Sequence, residues 1–110
     1  MKRLVSAPEV DESLREIYRY TFARWGEAQA RKYLAELRAA YLSLAHEPAA
    51  GRVLRSVKGI LLRQLQVGRH VMVYTVRDDE VLVLSILHEA MNIRARITKL
   101  VGRMRRRGVL

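Results

Sequence analysis

The stretch GRHVMVYTVRDDEVLVLSILHEAM, from Gly68 to Met91, holds two of the chain's three histidines. A histidine titrates near neutrality, so His88, ending an apolar run just before Glu89, is placed to act as a general base. The groups that could join it in acid–base or phosphate chemistry are His70, Tyr74, Arg63, Arg69 and Arg77. Each also has a plainer reading. His88 could be a hydrogen-bonded strand end. His70 alternates with Met72 and Tyr74, as a packed or edge strand residue would. Arg63, within LLRQL, could support a site or salt-bridge to a helix. Asp78-Asp79-Glu80 has the composition of a hairpin tip. His46 closes a helical stretch, where a C-terminal dipole position suits it.

Several chemistries are set aside by what the chain lacks. HEAMN has no second histidine four residues after His88, so it is not the zinc-protease signature. Cysteine is absent, which removes disulfides, thiolate nucleophiles and cysteine metal sites. No glycine-rich phosphate loop or Ser-His-Asp spacing is found. No catalytic set, metal or cofactor is expected, and His70 with His88 are read as strand markers.

The elements that position these residues follow from the hydrophobic period. Lys2 to Val5 could form a short strand. SAPE then places Ser6 as an N-cap, Pro8 in the first turn and Glu9 three residues on. Leu14, Ile17, Tyr18, Thr21, Phe22 and Trp25 recur at helical spacing. Gly26 stands where a left-handed cap would end that helix. Ala30, Tyr33, Leu34, Leu37, Tyr41 and Leu44 form a second stripe, and Pro48 ends it. The two-residue link implies an antiparallel helical hairpin.

PAAGR reads as a loop. Residues 60–67, 70–76 and 81–87 then read as three strands, broken at Gly68-Arg69 and Asp78-Asp79. The third is apolar at nearly every position, as for a strand covered on both faces or central in its sheet. After Met91 the period is helical again, through Ile93, Ile97, Leu100, Val101 and Met104. The order is β-α-α-β-β-β followed by a basic helix. This is an α+β pattern, with an antiparallel helical hairpin laid on one face of an antiparallel sheet.

A chain of 110 residues, half apolar and 29% charged, can bury one core but not two domains. No run is long enough for a membrane span, and the N-terminus lacks the apolar run of a secretory signal. With no cysteine, the cytoplasm is the expected location. The net charge of +10 is uneven. Residues 92–110 carry seven Lys/Arg and no acid, whereas the first 91 residues have a balance of only +3. Such a segment attracts polyanions or an acidic protein, or serves simply as a solvated helix end.

The residues LREIYRYTFARWGEAQARKYLAELRAAYLSLAHEPAAGR, followed by LRQLQVGRHVMVYTVRDDEVLVLSILHEAM, resemble the ParE branch of the RelE/ParE toxin superfamily. The matching elements are Leu14 and Ile17, then Gly26 with Ala30 and Leu37, then HEPAAGR at 46–52. They continue with Leu62-Arg63, GRHVMVY at 68–74 and ILHEAM at 86–91. The resemblance covers residues 1–91, read as one toxin domain, with 92–110 as a basic amphipathic extension. Two departures stand out: Ala90 replaces the family's usual basic residue and Asn92 its usual acid.

That resemblance implies a ParD-like antitoxin with an acidic tail, forming a toxin–antitoxin hetero-oligomer, and inhibition of DNA gyrase. The RelE branch would instead imply messenger RNA cleavage on the ribosome. Metal-free cleavage needs a base, an acid and cations around the phosphate. No base-plus-lysine cluster is evident, so binding is favoured over cutting. A non-toxic basic nucleic-acid-binding module is the further alternative. The target- or partner-binding residues expected are Arg63, Arg69, His88, Arg94, Arg96, Lys99, Arg103, Arg105, Arg106 and Arg107. The apolar stripe of the last helix must be buried on its own sheet or on a partner, leaving its cations outward. Deleting residues 93–110 is expected to leave a folded body. The hairpin face bearing Arg15, Arg19, Arg31, Lys32 and Arg38 is a second candidate surface.

Overall fold

In the computed structural model, which describes every residue from Met1 to Leu110, β1 (Arg3–Ser6) leads into α1 (Pro8–Trp25) and α2 (Glu27–Ser43). Four strands follow: β2 (Arg52–Val57), β3 (Ile60–Val67), β4 (His70–Arg77) and β5 (Glu80–His88). Helix α3 (Ile93–Arg106) ends the order. The expected α+β layout is present, with one strand more than the sequence suggested. β2 had been absorbed into a loop. Its turn, Lys58-Gly59, has both residues at positive φ (51° and 82°), the two-residue hairpin geometry that glycine favours.

The sheet order is β1-β5-β4-β3-β2. β2 to β5 form an antiparallel meander, while β1 pairs parallel with β5 from Arg3↔Glu80 to Ser6↔Val83. The parallel edge follows from the hairpin, which carries the chain across the sheet between β1 and the meander. Glu80 fastens this edge through Arg3 at 2.8 Å and through Arg77. Those two guanidinium groups, Arg3 first, hold the Glu80 carboxyl below its usual range.

Helix α1 starts at Pro8, but its N-cap is Ala7, which makes no side-chain capping bond. Ser6 belongs to β1 and its hydroxyl meets the Tyr41 hydroxyl at 2.9 Å. The expected serine cap is therefore absent because the strand retains that residue. Gly26 does end α1, with φ 91° and its N–H on the Phe22 carbonyl. The buried stripe of α1 is Val10, Ile17 and Thr21, with Leu14 and Tyr18 half-buried. Phe22 and Trp25, read as part of that stripe, are 47% and 65% exposed. Neither side chain belongs to either core.

The helical hairpin covers one face of the sheet, as expected, and α3 covers the other. One core, containing Leu37, Leu44, Met72, Tyr74, Val81, Val83 and Ile86, lies under the hairpin. A second, containing Leu62, Val71, Val73, Leu82 and Leu84, lies under Ile97, Leu100, Val101 and Met104 of α3. β4 and β5 are thus covered on both faces, which accounts for their continuous apolar sequence. Asn92, which departs from the usual acid, caps α3 by accepting from the Ala95 N–H at 3.3 Å.

Burying four such side chains is worth roughly 1.5–3 kcal/mol each. That gross sum is comparable with the roughly 5–15 kcal/mol net stability of a whole domain. Helix α3 is thus integral to the core. Met104→Ala is expected to lower unfolding free energy by about 2–5 kcal/mol in urea titrations. Deleting residues 93–110 should abolish the cooperative transition, against the expectation of a folded body.

Candidate functional site

Two grooves flank the helical hairpin. The first, about 750 Å³, lies between α1, α2 and the sheet. Its floor is apolar, formed by Val10, Leu14, Leu34, Leu37, Met72 and Ile86. Arg15, Arg19, Arg31 and Arg38 rim it, with Asp11 the one acid. Arg31 is tied to Glu27 at 2.7 Å; Arg15, Arg19 and Arg38 make no ion pair. An apolar floor with a cationic rim suits an amphipathic acidic segment.

The second groove, about 770 Å³, lies beside the tip of the hairpin. Gly68, Arg69, His70 and His88 form its sheet side, and Tyr20, Arg24, Trp25 and Tyr33 its helix side. Its floor depends on Gly68, whose φ of 56° suits the β3–β4 turn. A Cβ there would stand 2.7 Å from the Tyr33 ring, so glycine permits both the turn and the tyrosine's seat. The Tyr33 hydroxyl reaches the Val67 carbonyl at 3.1 Å and His70 Nδ1 at 2.5 Å. A carbonyl can only accept. If Tyr33 donates to it, His70 must carry its proton on Nδ1 and donate to the phenol oxygen, leaving Nε2 as the acceptor.

His70 and His88, read as separate strand markers, are directly paired across β4 and β5 with ring centroids 5.2 Å apart. A β-bulge brings them together. Val73 pairs with Ser85 but Tyr74 with Val83, so Leu84 is an extra residue on β5. Beyond it the alternation of faces reverses. Ile86 and His88 turn toward the hairpin, whereas strict alternation from Val81 and Val83 would point them at α3. His88 Nδ1 accepts the Ala90 N–H at 3.0 Å. Burial, and then the charge of His88, pull the His70 pKa below its ordinary 6.5 against the opposing pull of Glu89.

The arginines are dispersed. Arg63 makes neither a helix salt bridge nor an open site; it donates to the Gly51 carbonyl at 2.9 Å. Beside it the Tyr74 hydroxyl donates to the Pro48 carbonyl at 2.7 Å and accepts the Gly51 N–H at 2.9 Å. A Cβ on Gly51 would lie 2.6 Å from that hydroxyl, so this buried knot requires glycine. Arg69 is exposed at the second groove, 3.9 Å from Glu89. Arg77 pairs with Glu80.

On α3, three of the expected outward cations turn back. Arg107 reaches Glu9 at 3.0 Å, Arg103 approaches it at 3.8 Å, and Arg105 donates to the Lys58 carbonyl. Glu9, at the start of α1, lies near the C-terminal end of α3, so these arginines meet a carboxylate there. Arg94, Arg96, Lys99 and Arg106 are exposed and make no ion pair. Sequence reasoning named the hairpin arginines as a second candidate surface but missed the apolar floor that Arg15, Arg19, Arg31 and Arg38 surround, and it missed the hairpin-tip groove. The exposed Trp25 looked like a core residue by spacing alone, and Tyr20 carried no expectation.

The model of the ParE toxin of type II toxin–antitoxin systems matches residues 4–93. A curated relative, Toxin ParE1 of Mycobacterium tuberculosis, is 33% identical over 92 residues, covering 83% of this chain and 93% of its own. Among solved structures, a chain from the chromosomal ParDE system of P. aeruginosa superposes with a TM-score of 0.67 at 22% identity. It covers 80% of this chain and 96% of its own. Escherichia coli RelE, solved as a mutant in the free state, superposes with a TM-score of 0.58 at 17% identity, over 94% of this chain and 97% of its own. Both likenesses concern the fold.

The lowered His70 pKa gives a pH dependence with a defined sign. Below about pH 6.5 the unfolded chain takes up a proton that folded His70 resists, so stability falls as pH drops. Melting temperatures measured between about pH 7.5 and 5 should fall for the native protein. The decline should be shallower for His70→Gln, whose amide can still donate to Tyr33. The Glu80 contribution lies lower: it is present above 4.5 and lost as the pH falls through the folded-state value.

Proposed function

This chain belongs to the ParE toxin family of type II toxin–antitoxin systems, and we propose that it arrests growth by binding and inhibiting DNA gyrase in the cytoplasm. A ParD-like antitoxin would neutralise it. The observation that carries the binding reading is the state of α3. Arg94, Arg96, Lys99 and Arg106 project, free of ion pairs, from a helix whose other face is locked into the core. A rigid helix bearing free guanidinium groups can engage carboxylates or phosphates without first ordering itself. Arg103, Arg105 and Arg107 are partly engaged within the chain and contribute less to that surface.

The antitoxin seat best supported is the groove within the hairpin. Its floor accepts an apolar helix face, and Arg15, Arg19 and Arg38 complement acidic side chains. This separates the two partners in space: an acidic segment on the hairpin side, the target on the α3 side.

Ribosome-dependent cleavage of messenger RNA is the second reading, favoured by the meeting of His70, His88 and Arg69 in one groove. Against it, each imidazole has Nδ1 engaged, no lysine stands in that groove, and Arg63 is held by the Gly51 loop.

Purified protein is expected to inhibit gyrase supercoiling and to leave ribosome-bound messenger RNA intact. Lys99→Glu combined with Arg106→Glu should weaken that inhibition by about tenfold or more, with unchanged thermal stability. Site-specific RNA cuts that disappear in His88→Ala would reverse the ranking. Separately, Arg15→Glu with Arg38→Glu should weaken capture of an acidic-tailed antitoxin by about tenfold or more while sparing gyrase inhibition.

A further inference from the structure

The groove at the hairpin tip is not needed for gyrase inhibition or antitoxin capture, yet its composition is unusual for idle surface. Tyr20 and Trp25 are 64% and 65% exposed, and nothing in the chain covers them. The Arg24 guanidinium sits 5.9 Å from the Tyr20 ring centroid and 5.8 Å from the Trp25 centroid. It makes no ion pair, so its charge lies over two rings with no carboxylate to balance it. Across the groove stands Arg69, with a side chain 80% exposed and only a 3.9 Å approach to Glu89. Between these walls His70 and His88 meet edge to face, and their Nε2 atoms make no hydrogen bond within the chain. Glu16 is the one acid in the lining.

Rings that stay largely exposed although Arg24 lies over one face of each, two cations and polar nitrogens at the base are complementary to one class of ligand: a planar heteroaromatic base carrying a phosphate. Aromatic platforms flanked by cations hold single strands without regard to sequence, because every base offers a π-face. A duplex keeps its bases stacked on one another and cannot use such a platform. An apolar peptide would leave Arg24, Arg69 and the imidazoles unpaired.

We propose that the hairpin-tip groove is a seat for a single-stranded polynucleotide, a base stacking on Trp25 and Tyr20 while flanking phosphates engage Arg24 and Arg69. The imidazole Nε2 atoms face the base edge as hydrogen-bonding groups. A strand suits the site better than a free nucleotide, since both rings are open to solvent and one unit alone would bury little of them. None of the free cations of α3 lines the seat.

Trp25 is the only tryptophan, so its fluorescence reports this groove alone. Full-length protein would be titrated with short oligodeoxythymidylate, the matching oligouridylate, thymidine monophosphate and a duplex of equal length. Both strands should quench Trp25, with the mononucleotide far weaker and the duplex without effect. A difference between the DNA and RNA arms would identify the natural source. With labelled strands, anisotropy should show about a tenfold affinity loss for Trp25→Leu, typical of one lost stacking contact. Arg24→Gln with Arg69→Gln should flatten the salt dependence. Lys99→Glu with Arg106→Glu should leave strand binding unchanged while weakening gyrase inhibition, so the two readings can fail separately. Absence of quenching, equal quenching by duplex, or strand affinity unchanged in Trp25→Leu would overturn the proposal.

Discussion

The rest of the structure depends on the burial of β4 and β5 on both faces. Their side chains alternate between a core under the helical hairpin and a core under α3, so removing either cover exposes apolar surface. What remains for recognition is the outer strands, the helix exteriors and the grooves that reach the half-buried His70 and His88 at the ends of β4 and β5. The sheet is a rigid spacer, and the surfaces that can meet other molecules are displaced to the hairpin side and the α3 side.

That division also sorts the cations. The chain carries far more positive charge than its few acids can balance. Glu9 and Glu80 are shared, each by two arginines, and in both cases they tie one element to another. Exposed pairs of this kind are worth little in free energy, with a median of about 0–1 kcal/mol. Their consequence lies in which cations remain free. The outer line of α3, the rim of the apolar groove and the hairpin tip keep theirs, and these are the surfaces that fit anionic partners. Arginine counts in the sequence overstate each patch, because some side chains close back on the fold.

Much of the architecture was legible because it rests on short-range physics. The spacing of Ala30, Leu37 and Leu44, the breaks at Gly68-Arg69 and Asp78-Asp79, and the stripe from Ile97 to Met104 all correspond to observed elements. What escaped had competing local signals. β2 is short, rich in arginine and largely exposed, so its apolar pattern was weak; only Lys58-Gly59 marked it as half of a hairpin. Ser6 satisfied a capping pattern that β1 overrode. Phe22 and Trp25 kept helical spacing although neither joins a core.

The sequence by itself determined every element but β2, the charge imbalance and the family, because periodicity, turn chemistry and composition are carried along the chain. It also indicated that the third strand of its reading would be covered on both faces or central in its sheet, though not by what. Tertiary structure alone decided which side chains share a site. One extra residue, Leu84, reverses the faces of β5 and turns His88 toward His70. A strand alternates with a period of two, so a single bulge exchanges every later side chain between faces. No pattern in the linear sequence marks where the hydrogen-bond ladder slips.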